Sequence, residues 1–518
     1  MSKLSLSKRE FCEEARAGSI PPLYAEIPYS PPSQLYPRFE SGPGSMLLES
    51  VKRSGEEGGP GPGGSGPHPK IARYSFLTFE PYASVKIKDG RIEVEAGGRR
   101  ALSHRERSKV FDRLKDFLRA YPQKPAPDLP PFQGGAVGLI SYDFVHYFES
   151  LPMTTRDDLG VPDAFFFMAD RLIAFDHIEK KAWLIICPGA RDTGLGYGRL
   201  DEIEWAEKYD DGEAQLERLS AKVNTEPAKE ACMPLPELVI EQELSKREYM
   251  EMVRIAKEYI AAGDIFQANL SLRLQANIGD LHPWKVYKAL SRINPSPFSC
   301  YMDFGGFQIV SSSPERLIRV QDGTIETRPI AGTRPRGRDR AEDESMRSEL
   351  LLNEKEKAEH IMLIDLERND LGKVSDYGTV RADELMITED YSHVMHIVSN
   401  VIGRLAPGKT LFDCIRAAFP GGTITGVPKV RCMEIIDELE PTRRGPYTGG
   451  AGYLGFSGNL DLNILIRTFL IKDGRAYVQA GAGIVADSDP EREYHESLKK
   501  AEALLLTLRM VKEKPDCI

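Results

Sequence analysis

The sequence predicts an α+β fold with large antiparallel β-sheets, and three observations carry that reading. The run FQANLSLRL at 266–274 alternates strictly, with Phe266, Ala268, Leu270 and Leu272 on one side and Gln267, Asn269 and Ser271 on the other, the two-residue period of a strand. FQIVSSSPERLIRV and TIETRPIAGT flank Asp322-Gly323, a dipeptide that closes two-residue hairpins. Long helix-period segments interleave with these strands without the regular βαβ spacing of a parallel sheet. No short internal repeat is visible.

In chain order, 53–69 (RSGEEGGPGPGGSGPHP) is dense in Gly and Pro and poor in apolar residues, so it cannot bury enough to order itself. KIARYSFLTFEPYASVKI after it reads as strand, which makes 53–69 a mobile loop inside a first domain. An acidic, helix-prone stretch at about 205–240 leads into NTEPAKEACMPLPELV and marks a boundary between a domain at 1–235 and one at 240–510. Ser245 and Glu248 form a capping box, apolar residues follow at 249, 252, 253, 256, 259 and 260, and Gly263 ends the helix. Asn353 with Glu356 is a second capping box, starting a helix that sets Glu356 and Glu359 on one face. Asp489 as N-cap and Pro490 at the first position open a third helix, with Glu493, Glu496 and Lys500 on one face.

Composition narrows the function. Of 518 residues 41% are hydrophobic and 28% charged, as in soluble globular proteins, and 78 acidic against 68 basic side chains give a net charge of −10. That balance excludes a nucleic-acid-wrapping surface and leaves a small anionic ligand held by local cations. The seven cysteines are scattered with no C-x-x-C pair, against a disulfide framework or structural zinc. With no signal-peptide h-region and no apolar run near 18 residues, the expectation is a soluble, cytoplasmic protein.

Several groups could carry chemistry. Two Glu-x-x-Glu pairs facing each other suit Mg²⁺, which takes carboxylate oxygens and keeps waters. Without a cation each close pair would repel by about 4 kcal/mol at 4 Å and an effective dielectric near 20. From spacing alone the pairs read first as solvated helix faces, since Glu is common in helices. FPGGTITGVPKV is not a phosphate loop, because Val427 stands where Lys is required, though its turn can still present N–H groups to an anion. Gly481 and Gly483 interrupt a strand in VQAGAGIVADSDP and admit close approach to the backbone. His393 and His396 fall on opposite faces of a strand; a histidine there is more often a hydrogen-bonded core residue than a catalyst, and His396 is the one that also suits proton transfer. Glu315, after the Ser/Pro turn of SSSPER, reads as a surface charge or an acid.

Together these blocks resemble the chorismate-utilising enzymes, and within them the large component of anthranilate synthase. The matching strings are GDIFQANLS, INPSPF, SSSPERL, PIAGTRPRG, EKAEHIMLIDLERNDLG, YSHVMHIVS, FPGGTITGVPK, GPYTGGAGY, LNILIRT and VQAGAGIVADSDPEREYHE, in the family's order over about 245–505. PPLYAEIP, SMLLES, IARYSF and GGAVGLISYD extend the likeness through the first half. The resemblance implies a two-domain sandwich of antiparallel sheets and helices. It implies Mg²⁺ between Glu359 and Glu496, with Glu356 and Glu493 nearby, holding the ring carboxylate of chorismate. It places the enolpyruvyl side chain against Arg467, Tyr447 and the backbone at Gly481, Ala482 and Gly483, with Gly332, Thr333, Thr425 and Lys500 as further contacts. Glu315 becomes the acid for the departing ring hydroxyl, and His396 the proton-transfer group in the elimination of pyruvate.

Two positions select the reaction. Water-using members place a lysine base where Gln267 stands; glutamine cannot deprotonate water, so ammonia is the expected nucleophile. Many aminodeoxychorismate synthases carry PIKGT, and here Ala331 replaces that lysine. No cysteine sits in a G-x-C-x-G elbow, so the ammonia is expected from a separate glutamine amidotransferase subunit, in a hetero-oligomer of two copies of each chain. The segments matching Leu48, Glu49 and Ser50, the NPSP segment (Asn294, Pro295, Ser296, Pro297, with Phe298) and Tyr453 imply a feedback pocket for tryptophan. The expectation is anthranilate formation at the entry to tryptophan biosynthesis. The alternatives are the aminodeoxychorismate synthase component of folate synthesis and a non-catalytic sensor that kept the fold.

Overall fold

The computed structural model describes residues 6–50, 71–104, 109–194, 200–226, 237–390 and 394–513. The loop expected at 53–69 and His393 lie outside the described residues. Among the described residues two twelve-stranded sheets form the frame, with neighbouring strands antiparallel, so the α+β sandwich of large antiparallel sheets is what the chain adopts. In the first sheet the centre runs Tyr74–Thr78, Met46–Glu49, Phe298–Asp303, Gln308–Ser313, Thr468–Lys472, Arg475–Ile484 and Gln267–Asn277. In the second it runs Ile330–Pro335, Val394–Arg404, Thr324–Arg328, Arg316–Gln321, Leu460–Ile464, Gly450–Gly455, Gly135–Ile140 and Ala164–Ala169.

The break near 240 in the sequence does not divide these sheets. Leu48 pairs with Cys300 in the first, and Val137 pairs with Tyr453 in the second, so each sheet is built from both halves of the chain. The largest apolar cluster likewise draws on both sheets, joining Leu77, Val310 and Leu272 to Val85, Ile140 and Ile318.

Local chemistry explains the elements that carry the site. The Ser245 hydroxyl accepts the Glu248 N–H and the Glu248 carboxylate accepts the Ser245 N–H, starting helix Lys246–Ala261; Gly263 at φ +84° then turns the chain. Asp322 (φ +51°) and Gly323 (φ +76°) make the expected hairpin. Asn353 caps helix Glu354–Gly372 by accepting the Glu356 N–H, while the Glu356 carboxylate accepts from Arg334 at 3.1 Å. Asp489 accepts the Arg492 N–H at 2.9 Å and Pro490 opens helix Pro490–Glu513.

Strand Gln267–Asn277 departs from the simple alternation. Phe266 lies just outside it and is 70% exposed, whereas Asn269 and Ser271 on the polar face are buried. That face packs against protein rather than water: the Ser271 hydroxyl donates to Glu440 at 2.7 Å, while the Asn269 Oδ1 is buried without a hydrogen-bond partner among the described residues. Among the described residues no helix is long and apolar enough to cross a membrane, and the described cysteines, Cys12, Cys187, Cys300, Cys414 and Cys432, are all buried and free.

Candidate active site

The site forms where the chain passes twice between the sheets. After strand Gln308–Ser313 of the first sheet, Ser313-Pro314-Glu315 leads into Arg316–Gln321 of the second; after Leu460–Ile464 of the second, Leu465 to Arg467 leads back into Thr468–Lys472 of the first. The crossovers are sewn together: the Ile464 N–H donates to the Glu315 carbonyl at 3.0 Å, the Ser313 hydroxyl to the Ile464 carbonyl at 2.6 Å, and the Ser312 N–H to the Arg467 carbonyl at 3.1 Å. Arg467 adopts φ +51°, a left-handed conformation that a non-glycine residue takes only where its surroundings enforce it. A surface reading of SSSPER therefore fails: Glu315 is only 6% exposed. Burial pushes its carboxyl up to about 8, helped by the negative charge of Glu367 and opposed by Thr423, so it holds a proton at neutral pH.

In the second sheet Ala331 pairs with Ile397 and Thr333 with His396, with the register shifting between them. Gly332, at φ +61°, is the extra residue of this bulge. A Cβ there would stand 2.6 Å from a Glu356 carboxylate oxygen, so glycine lets helix Glu354–Gly372 bring its carboxylate onto the strand. The bulge turns Thr333 toward His396, whose Nδ1 lies 2.9 Å from the Thr333 hydroxyl and 3.3 Å from the Gly332 carbonyl. A carbonyl can only accept, so Nδ1 carries the proton and the Nε2 lone pair gives the ring its basic edge. Burial, then the Arg467 charge, lower His396 to about 4 despite the Gly332 carbonyl; the imidazole is neutral.

Further expected substrate contacts stand on the first sheet and the helix packed on it. Asn269 pairs with Gly483 and Ser271 with Gly481. A Cβ on Gly483 would meet the Gln267 side-chain amide at 2.4 Å, so this glycine makes room for Gln267 itself. Lys500 donates to the Gly481 carbonyl at 3.0 Å and pairs with Glu496 at 2.9 Å. Ala482 is fully buried. Thr425 is buried in its turn, its carbonyl accepting the Asn269 N–H at 2.9 Å. Tyr447 lies beside the Arg444 guanidinium.

The four carboxylates expected at a metal are hard oxygen donors of the kind Mg²⁺ takes, carried on two helices. Glu356 is bonded to Arg334 and Glu496 to Lys500. Among the described residues no group of three or more His, Cys, Asp or Glu is gathered so as to hold a metal ion.

A separate cavity of about 100 Å³, partly open to solvent, is lined by Leu48, Glu49, Ser50, Pro297, Phe298 and Tyr453, among others. It lies on the seam between the chain halves, where Ser50 donates to the Pro297 carbonyl at 2.7 Å. Glu49 is buried and accepts from the Tyr287 hydroxyl at 2.5 Å; burial raises its carboxyl despite that bond. Asn294, Pro295 and Ser296 do not line the cavity: Asn294 turns instead to Ser312, its amide donating to that hydroxyl at 3.2 Å.

Residues 67–506 match the family model described as chorismate binding enzyme. The chain belongs to that family. Anthranilate synthase component 1 of Acetivibrio thermocellus is 43% identical over 487 residues, covering 93% of this chain and 93% of that protein. Aminodeoxychorismate synthase component 1 of Bacillus subtilis is 44% identical over 441 residues, covering 85% and 90%. The crystal structure of anthranilate synthase component I from Streptococcus pneumoniae aligns at a TM-score of 0.72 with 34% identity, covering 86% of this chain and 94% of that one.

For a chorismate binding enzyme, one residue here escapes reading from sequence. Glu367 is 7% exposed, raised to about 7 by burial and the Asp370 charge, with Lys429 opposing. In DLERND it looks like one charge among several. The signal lay in the helix period, since His360, Leu363, Ile364 and Leu371 form the buried stripe and position 367 falls on it.

Proposed function

We propose that this chorismate binding enzyme is the synthase component of an anthranilate synthase: chorismate and ammonia give 2-amino-2-deoxyisochorismate, which loses pyruvate to form anthranilate. Ammonia adds at the ring carbon ortho to the carboxylate, and the ring hydroxyl leaves as water after taking the Glu315 proton. A carboxyl held up to about 8 by burial keeps that proton at pH 7. In the elimination, the neutral His396 takes the ring proton at Nε2 and the ether carbon–oxygen bond breaks, releasing pyruvate and leaving an aromatic ring. Thr333 and the Gly332 carbonyl hold the imidazole in the required tautomer.

Arg467, Tyr447 and the Gly481 to Gly483 backbone would hold the enolpyruvyl carboxylate. Glu359 and Glu496 would hold Mg²⁺, with Glu356 and Glu493 beside them, and the bound cation supplies electrostatic attachment for the ring carboxylate. The ammonia would come from a glutamine amidotransferase subunit in a hetero-oligomer. The cavity at Leu48, Glu49, Ser50 and Tyr453 would take tryptophan as feedback inhibitor.

The observation that carries anthranilate as the product is Ala331. It stands on the bulged strand two residues before Thr333 and one before Gly332, and its methyl group cannot form the covalent adduct that a lysine there could. The likeness to the Bacillus subtilis aminodeoxychorismate synthase component favours a second reading, in which the pyruvyl group is kept and the para carbon aminated. Incubation with chorismate, Mg²⁺ and ammonium decides: blue-fluorescent anthranilate with stoichiometric pyruvate is expected, and an aminated chorismate without anthranilate refutes the proposal.

A further inference from the structure

Next to the expected substrate contacts on the first sheet lies a buried ion pair outside every site motif considered above. Arg444 and Glu440 are 3% and 4% exposed. The Arg444 Nε and Nη2 donate to the two Glu440 oxygens at 2.9 and 2.7 Å, a forked pairing. The remaining guanidinium donors are also placed: Nη2 to the Asn269 carbonyl at 2.7 Å, Nη1 to the Ile424 carbonyl at 3.1 Å and to the Thr448 hydroxyl at 3.3 Å. All five N–H donors of the group are thereby used. Its faces are taken by aromatic rings, Tyr142 at 4.9 Å and Tyr447 at 5.6 Å. Glu440 in turn accepts both the N–H and the hydroxyl of Ser271, at 2.9 and 2.7 Å.

The acceptors are distributed in a telling way. Asn269 and Ser271 are the cross-strand partners of Gly483 and Gly481. Ile424 precedes Thr425, and Thr448 follows Tyr447. One guanidinium therefore fixes, through their neighbours, two of the three groups to which the enolpyruvyl side chain is assigned, Tyr447 and the Gly481 to Gly483 backbone, together with the further expected contact Thr425. The pair is internally neutral, so it adds no net charge to an anion site, and its contribution is geometric. A buried ion pair is weak as a device for stability, since apolar packing of the same volume does as well; a five-donor fork is well suited to holding separate backbone segments in register.

We propose that Arg444, locked by Glu440, is a positioning residue that sets Thr425, Tyr447 and the Gly481 to Gly483 strand in the geometry that binds chorismate. This rests on the site reading above, and chorismate binding is common to both products considered there. Lysine at 444 keeps the charge opposite Glu440 but offers three donors on a point-like ammonium, which cannot span Glu440, Asn269 and Ile424 together.

The test is equilibrium binding of chorismate in Mg²⁺ without ammonium, with thermal melting and the KM for ammonium measured alongside. The Arg444→Lys protein is expected to fold, to keep its KM for ammonium within twofold, and to bind chorismate at least fivefold more weakly. A folded variant with a smaller loss overturns the proposal. Should Arg444→Lys not fold, Glu440→Gln, which keeps the shape and removes the fork's charge, is judged by the same threshold; failure of both to fold makes the pair a folding element and also overturns it. Absence of chorismate binding by the parent protein would refute the site reading itself, a result distinct from either.

Discussion

At the scale of single residues, Glu315 shows function working against stability. Its carboxyl titrates near 8 in the fold and near 4.5 in the unfolded chain, so between those values unfolding releases a proton. Across that window each pH unit lowers stability by on the order of 1.4 kcal/mol at most. Glu315→Gln is therefore expected to melt higher than the parent above about pH 5, with the gain growing toward pH 8 and vanishing below pH 4.5, while anthranilate formation is lost. Melting curves at several pH values with parallel fluorescence assays check both parts. The activity of the parent should fall as pH rises through 8, where the acid loses its proton, and should show no limb near 6.5, because His396 is already neutral there. Glu367→Gln removes the like charge that helps raise Glu315, so it should move the alkaline limb to lower pH, and an unmoved limb would separate the two carboxyls. Ala331→Lys sets an amine beside Thr333 and is expected to lower the anthranilate rate at least tenfold; an unchanged rate and product would deprive Ala331 of its discriminating role.

Single elements show what a sequence exposes and what it hides. Helix starts were legible because each rests on a local pairing, Ser245 with Glu248 and Asp489 with Arg492. The hairpin at Asp322-Gly323 was legible because both positions take positive φ. The Gly332 bulge was not, since its cause is the Glu356 carboxylate arriving from a helix more than twenty residues on. For the same reason the Glu-x-x-Glu pairs could be placed on helix faces, but not the engagement of Glu356 by Arg334 from a strand, whereas Glu496 with Lys500 is a local i,i+4 pair on a face the sequence exposes. Two consequences are testable at this scale. Glu359→Gln and Glu496→Gln should each weaken Mg²⁺ binding in the presence of chorismate at least tenfold by calorimetry, with turnover falling in step; wild-type affinity in both would remove the metal assignment. On strand Met46–Glu49 and the residue after it, Ser50→Phe should fill part of the cavity and weaken inhibition by tryptophan with the chorismate KM unchanged, and undiminished inhibition would place the effector elsewhere.

For the molecule as a whole, composition points to a boundary that the hydrogen bonds do not respect. Composition shifts along the chain, but strand pairing is set by partners hundreds of residues apart, which no local pattern encodes. Leu48 on Cys300 and Val137 on Tyr453 each lie in the interior of a sheet. Cutting the chain near 236 would turn Met46–Glu49 and Gly135–Ile140 on one fragment, and Phe298–Asp303 and Gly450–Gly455 on the other, into apolar edges. The same cut would remove Tyr142 from the face of Arg444, so even the proposed chorismate wall draws on the first half. We therefore expect fragments 1–236 and 237–518, expressed separately, to lack a cooperative melting transition, and their coexpression to restore one complex that melts cooperatively and binds chorismate. The reason is the seam: a fragment with two unpaired interior strands has no internal partner for their N–H and C=O groups, whereas coexpression supplies each with its native neighbour. A cooperative melt of 237–518 alone, with chorismate bound, would mean that the second half closes its own sheets and that the shared seams are a consequence of association rather than a condition of folding.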